Sequence, residues 1–344
     1  MNVNRKSWRA TLGISMVLVL VLAACQSDIN GDESEAPDGN GGGGAVSGSI
    51  FVSGSSTVEP ITTLVAEMFA EENADFDYTV EGPGTGDGFA LFCNGETDIS
   101  DASRAITDEE IAACEEAGIE YTEILVAYDG LAVITSAENG AVSCLSFADL
   151  YSLLGPESQN FNNWSDADAL AGELPEGYGA LNTPYPDAEL TVTGPGEESG
   201  TFDSFVEIVL EDLADEREQD ATTRPDYVAS ANDNTIIEGI TGSPTSLGWV
   251  GLAFASENAD TVKIIEVDGG DGCVGPSDET VVDGTYPIAR PLFIYVNNAR
   301  ADENEALVSF VDFYVENLAA AGEVGYVNLS DTEMSDVADG WTGR

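Results

Sequence analysis

Four times along this chain a short apolar strand runs into a turn of glycine and hydroxyl residues and then into a helix with one apolar stripe. That order restricts the fold to alternating α/β and sets hydroxyls beside helix starts. In the clearest case the strand around Leu190 to Thr193 is followed by Gly194-Pro195-Gly196, then by Ser199-Gly200-Thr201. The helix beyond carries Phe202, Phe205, Val206, Val209, Leu210 and Leu213 at the 3.6-residue period of a core-packed face. A helix start presents unpaired N–H groups and partial positive charge, so it can hold a tetrahedral oxyanion. An ordinary N-cap would use the same residues.

The other three instances lie earlier. Ser55-Ser56-Thr57 follows the strand at 49–52 and enters a helix near Pro60, striped by Ile61, Leu64, Val65, Met68 and Phe69. Gly84-Thr85-Gly86-Asp87-Gly88 follows the strand around Tyr78 and enters the apolar stretch 89–92. Asp98 to Arg104 leads to Thr107 and Glu110, a capping box for a helix that stops at Gly118. One such start is unremarkable; four at strand ends predict a converging site.

Length allows two domains with ample core, and no internal repeat is present. Arg5, Lys6 and Arg9 precede an apolar run at 12–21 that ends Leu22-Ala23-Ala24-Cys25. That is the polarity and length of a secretory signal peptide, too short for a stable membrane span. The Leu-Ala-Ala-Cys ending resembles a bacterial lipobox, which implies cleavage after residue 24 and lipidation of Cys25. Residues 25–45, polar and glycine-rich, read as a flexible tether.

Charge narrows the partners. The chain has 64 carboxylates against 10 Lys and Arg, and no histidine, for a net charge of −54. Beyond the leader only Arg104, Arg217, Arg224, Lys263, Arg290, Arg300 and Arg344 are cationic. Binding of nucleic acid or anionic lipid through a basic surface is excluded. Such self-repulsion is tolerated where salt screens it, since the Debye length falls to about 3 Å at 1 M. Arg104, between Ser103 and a capped helix, is the cation best placed to donate a planar fork to an oxyanion; a surface ion pair is the alternative.

At these motifs the chain resembles the phosphate-binding lipoproteins that feed bacterial phosphate ABC importers, the Pst-type substrate-binding proteins. The similar segments are Ser53 to Pro60, Gly84 to Phe89, Asp98 to Arg104 and Gly194 to Asp203, with support from Val126 to Val133, Leu247 to Gly251 and Tyr286 to Leu292. The likeness runs from about Ser49 to the C-terminus. It implies a periplasmic-binding-protein type II fold, two α/β lobes joined by two crossover strands, with phosphate clamped between them. Carried over, ligand contacts come from Ser55, Ser56, Thr57 and the Val58 backbone in the first loop and from Thr85 and Gly86 in the second. The third loop would give Asp101, Ser103 and Arg104, and the fourth Ser199, Gly200 and Thr201. Several members have an arginine four residues before the Ser-Gly-Thr serine; here that position is Pro195, and Arg104 is expected to replace it. Asp101 is the candidate acceptor of the proton that distinguishes monohydrogen phosphate from sulfate; Glu197 and Glu198 are poorer ones.

The expected division is lobe I at 46–135 plus 286–344 and lobe II at 136–285, with crossings at 124–135 and 286–296. Expected too are a short capped helix at 143–154, an irregular surface loop at 161–186, and a last long helix at 303–321. Four cysteines remain after Cys25, with three possible pairings. Proximity in sequence favours Cys93–Cys114, and a shared lobe favours Cys144–Cys273. No CxxC spacing and no histidine support a metal site, and no cofactor is expected. A Ser-His-Asp triad is impossible, and neither a P-loop nor a nucleophile elbow is present, which argues against an enzyme. The sequence therefore predicts a monomeric, lipid-anchored extracytoplasmic protein that captures inorganic phosphate for the permease subunits of an ABC importer. A binding protein or sensor for another tetrahedral oxyanion such as sulfate is the alternative.

Overall fold

The computed structural model describes residues 46–197 and 199–343. The leader, Cys25, the tether, Glu198 and Arg344 lie outside the described residues. Among the described residues no helix is long and apolar enough to cross a membrane.

The first part alternates strand and helix: β1 (Ser47–Gly54), α1 (Glu59–Glu72), β2 (Asp75–Glu81), α2 (Thr85–Cys93), β3 (Ile99–Ala102) and α3 (Asp108–Ala117). β1 pairs in parallel with both β2 and β3, as crossover helices require. α1 buries Ile61, Val65 and Phe69, one residue per turn, and Pro60 sits in its first turn where a missing N–H costs nothing. α3 starts at the Thr107–Glu110 capping box and ends at Gly118 in the left-handed conformation.

β4 (Tyr121–Ser136) then leaves this body and enters a second one. Its Ile124, Val126 and Ala127 lie in a core with α1, Phe310 and Tyr314. Leu131, Ala132, Val133 and Ile134 lie in another, with Trp164, Phe205 and Trp249. β5 (Cys144–Ser146), α4 (Phe147–Leu154), α5 (Asp168–Ala171), β6 (Val192–Gly194), α6 (Gly200–Phe205), β7 (Val228–Ala229), β8 (Leu247–Gly251), β9 (Val262–Ile264), β10 (Glu266–Asp268) and β11 (Cys273–Val274) build the second body. β12 (Ala289–Asn297) returns antiparallel to β4 and to β3. One sheet thus runs β2-β1-β3-β12-β4-β8-β6-β7, with β9 also on β4, and β11-β10-β5 form a second, smaller sheet. This is a bilobal α/β fold in which β4 and β12 pass between the two cores.

Several local expectations need correction. The stretch 143–154 is a strand followed by a helix, because Ser146 ends β5 and caps α4 by accepting from the Asp149 N–H. The region 161–186 is not an irregular surface loop throughout. It contains the 3₁₀ turn Trp164–Ala167 and α5, and it buries Trp164, Leu170 and Tyr185. The helix expected at 303–321 is broken at Asn304, whose extended backbone and side chain start a new helix, Glu305–Glu316. A further helix, Asp331–Thr342, was not anticipated.

Cys93 is bonded to Cys114, tying α2 to α3, and Cys144 to Cys273, tying β5 to β11. In a body this acidic, such cross-links offset charge repulsion by restricting the unfolded chain.

Candidate functional site

Every candidate loop sits at the C-terminal end of a strand. The loop after β1 is held from below: the Ser55 N–H donates to the Asp101 carbonyl at 2.9 Å, and the Ser55 hydroxyl accepts from the Thr57 N–H at 3.1 Å. The Val58 N–H, expected to face a ligand, donates to the Ser55 carbonyl at 3.2 Å. Glycine brings the neighbouring segments together. A Cβ on Gly54 would lie 2.0 Å from the Asp101 carbonyl oxygen, and one on Gly88 would lie 2.4 Å from the Gly54 Cα. A side chain at Gly54 would push the first loop from the end of β3, and one at Gly88 would push the second loop from the first.

The fourth loop comes from the other lobe. Ser199 caps α6, its hydroxyl accepting from the Thr201 N–H at 3.2 Å. α6 continues through a π-helical stretch, Val206–Leu210, into Glu211–Glu216. Its start abuts the first loop: a Cβ on Gly200 would lie 3.3 Å from the Thr57 Cα. Two side-chain contacts cross the join. Ser56 Oγ donates to Asp203 Oδ2 at 2.7 Å, and the Thr57 and Ser204 hydroxyls lie 3.2 Å apart. Two of the four loops are therefore in contact across the lobes.

Beside this join opens a cleft of about 440 Å³. Thr85, Gly86, Ser103 and Arg104 line it, facing Arg290, Glu207 and Glu211. Thr85 and Ser103 share a hydroxyl contact at 3.0 Å, and the Ser103 N–H donates to Thr85 Oγ1 at 3.2 Å. Arg104 lies over the Phe89 ring, 5.7 Å from its centroid. Its two Nη atoms reach the Glu110 carboxylate at 2.8 and 2.9 Å, with a further donation to the Ala105 carbonyl. Hydrogen bonding to Glu110 raises the guanidinium's pKa above its ordinary value.

Asp101 lies outside this lining and is fully buried. Oδ1 accepts from the Thr62 hydroxyl at 3.0 Å, and Oδ2 has no hydrogen-bond partner among the described residues. Burial pushes its pKa up to about 8, the Thr62 hydrogen bond opposes this, and Glu59 adds to it.

Arg290 is the residue that sequence reasoning missed. It stands opposite Asp129 in the β12–β4 register. Its Nη2 donates to Ser204 Oγ at 2.8 Å and to Thr57 Oγ1 at 3.2 Å, its Nη1 pairs with Glu207, and its Nε is 3.6 Å from Asp129 Oδ2. Asp129 also accepts from Ser204 Oγ at 2.6 Å. Burial raises its pKa, against the lowering pull of Arg290. The available signal was scarcity: a cation in a chain with so few of them, inside the Tyr286 to Leu292 segment. Among the described residues no cluster of His, Cys, Asp and Glu could hold a metal ion.

Comparison with known proteins defines the class. Residues 40–317 match the model of the PBP superfamily domain. The chain is 37% identical to Protein SphX of Synechocystis sp., over 82% of this chain and 79% of that one. It is 31% identical to the phosphate-binding protein PstS of Staphylococcus epidermidis, over 84% of this chain and 81% of the other. A possible phosphate binding protein from Planctomyces limnophilus superposes with a TM-score of 0.77 at 32% identity, covering 87% of this chain and 99% of that one. The chain belongs to the Pst-type family of phosphate-binding proteins. The family is one of binding proteins, not enzymes.

Proposed function

We propose that this protein captures inorganic phosphate between its lobes and delivers it, from a lipid anchor at Cys25 on the extracytoplasmic side of the membrane, to the permease subunits of an ABC importer. The lobes meant are 46–135 plus 286–344 and 136–285. The observation that carries the reading is the meeting of the Ser55 to Val58 loop with the Ser199 to Thr201 helix start, beside a cleft lined by Thr85, Ser103, Arg104 and Arg290. Hydroxyls, a helix start and arginine forks suit a tetrahedral oxyanion that must be desolvated. On this reading Thr57, Thr85, Ser103 and Thr201 supply hydroxyl donors, Ser56 joins the first loop to the helix start through Asp203, Gly86 and Gly200 allow close approach, and Arg104 supplies charge.

On this reading Asp101, buried behind the cleft lining, gives the preference for phosphate once it ionises on binding. A buried carboxylate can accept the proton of monohydrogen phosphate, whereas sulfate would face it with an unmatched lone pair. Calorimetric titration with phosphate, arsenate and sulfate tests the reading. Tight binding of phosphate and arsenate with weak binding of sulfate is expected, and preference for sulfate would establish the other oxyanion instead. Membrane retention that is lost on Cys25→Ser tests the anchor.

A further inference from the structure

Arg290 is bound on three sides by groups of different character. Behind it the buried Asp129 stands across the strand pair, with Nε 3.6 Å from Oδ2 and without a hydrogen bond among the described residues. Beside it are two hydroxyls from opposite lobes, Thr57 and Ser204. In front, on the cleft side, is Glu207, whose side chain is 44% exposed while that of Arg290 is 13% exposed. We propose that Arg290 is a second cationic contact for the captured oxyanion and couples its capture to lobe closure, the oxyanion taking the place that Glu207 holds at Nη1. This rests on the phosphate-binding reading above.

Exchange at Nη1 follows from the environments of the two arginines. The two Nη atoms of Arg104 are both engaged by Glu110, which is itself fixed by the Thr107 capping box. Arg290 has its rear charge matched by a buried partner and its front matched by a half-exposed one. Of the two partners only Glu207 keeps much of its water, so this pair contributes less than one buried on both sides. A desolvated oxyanion with two charges gains more from the same fork. Glu207 lies in the π-helical stretch that follows α6, where an irregular turn re-aims a side chain.

Hydroxyl accounting supports the same role. A hydroxyl has one proton to donate. The Ser204 proton goes to Asp129 Oδ2 at 2.6 Å, so at the Thr57–Ser204 contact Thr57 is the donor. Nη2 of Arg290 donates to both oxygens. The Thr57 proton is therefore the one able to turn from Ser204 to a ligand, and Arg290 holds the oxygen that carries it. Because Arg290 stands on β12, between the two cores, one guanidinium registers lobe I through Thr57 and lobe II through Ser204.

The test is phosphate titration of Glu207→Gln, Arg290→Lys and the double variant Asp129→Asn with Arg290→Gln. The double variant removes both charges, so no uncompensated carboxylate threatens the fold. Glu207→Gln is expected to tighten binding several-fold, since the competing carboxylate is gone. Arg290→Lys keeps charge without the planar fork and should weaken binding about tenfold. The double variant should weaken it about 30-fold or more. Binding within about twofold of wild type in the double variant, or weaker binding by Glu207→Gln, overturns the proposal. Wild-type protein that takes up no phosphate defeats instead the reading on which it rests.

Discussion

Ser56 and Asp203 are joined by a 2.7 Å hydrogen bond although 147 residues separate them, one on the loop after β1 and the other on α6. Asp203 is half-buried, and burial raises its pKa while the Ser56 donor opposes the rise. Ser56→Ala would leave that carboxylate without its donor in the closed arrangement, where a lost bond to a charged group costs about 1.5–3 kcal/mol. Opening returns Asp203 to water, so the variant should populate open forms. Small-angle scattering without phosphate should give a larger radius of gyration than wild type, and phosphate affinity should fall about tenfold or more. Identical scattering profiles and affinities would mean that the contact does not bias closure.

Asp101 makes stability depend on pH in a direction unusual for a carboxylate. Its folded-state pKa is raised from 3.8 to about 8. Below the unfolded value the group is protonated in both states and costs nothing. As pH rises from about 4 to about 8 the unfolded chain releases the proton more readily, and stability falls by up to about 1.4 kcal/mol per unit. Thermal melts of the phosphate-free protein should therefore show wild type losing stability relative to Asp101→Asn across that window. If Asp101 must ionise to accept from phosphate, binding near neutral pH releases more protons in wild type than in the variant. Binding heats compared in buffers of different ionisation enthalpy read this directly. Wild type and variant with the same heats and the same phosphate-to-sulfate ratio would remove Asp101 from the site.

Arg104 and Glu110 separate binding from folding. The pair is partly exposed, so breaking it should alter stability by under about 1 kcal/mol. Its guanidinium nevertheless lines the cleft. Arg104→Ala should lose about 2 kcal/mol or more of phosphate binding, with little change in the melt of the unliganded protein. Glu110→Ala should behave differently: it removes the capping-box partner of Thr107 and costs about 0.5–2 kcal/mol of stability. Unchanged phosphate affinity in Arg104→Ala would reduce Arg104 to a surface ion pair.

What could be read beforehand was local. The starts of α1 and α3 and the Ser199 cap are written in hydroxyls, Pro60 and apolar stripes within one or two turns of each other. Trp164, Leu170 and Tyr185 escaped because they stand among Asn, Gly and Pro at no helical or strand period, and only the tertiary fold buries them. The helix Asp331–Thr342 buries only Trp341, so its stripe is faint, although the Ser330–Glu333 capping box marked its start. Arg290 could not be placed from sequence. Its partners Thr57 and Ser204 are 233 and 86 residues away, and its neighbour Asp129 is set by the β4–β12 register.

Salt provides the last test, because on the proposed function the cleft must hold an anion inside a chain of net charge −54. Arg104 and Arg290 are countered at the cleft by Glu207, Glu211 and Asp87, so the lining offers aimed donors without a positive long-range field. Burial raises the Glu211 pKa, and its carboxylate neighbours Glu207, Asp215 and Asp212 raise it further. Attraction at hydrogen-bond distance is barely screened, whereas repulsion from carboxylates tens of ångströms away fades once the Debye length shrinks from about 10 Å at 0.1 M to about 3 Å at 1 M. Phosphate affinity should therefore hold steady or rise as sodium chloride is increased over that range, with the gain appearing mainly in the association rate. Stopped-flow binding at several salt concentrations measures both. A steep loss of affinity would show that a positive field draws the ligand in, contrary to capture by local donors.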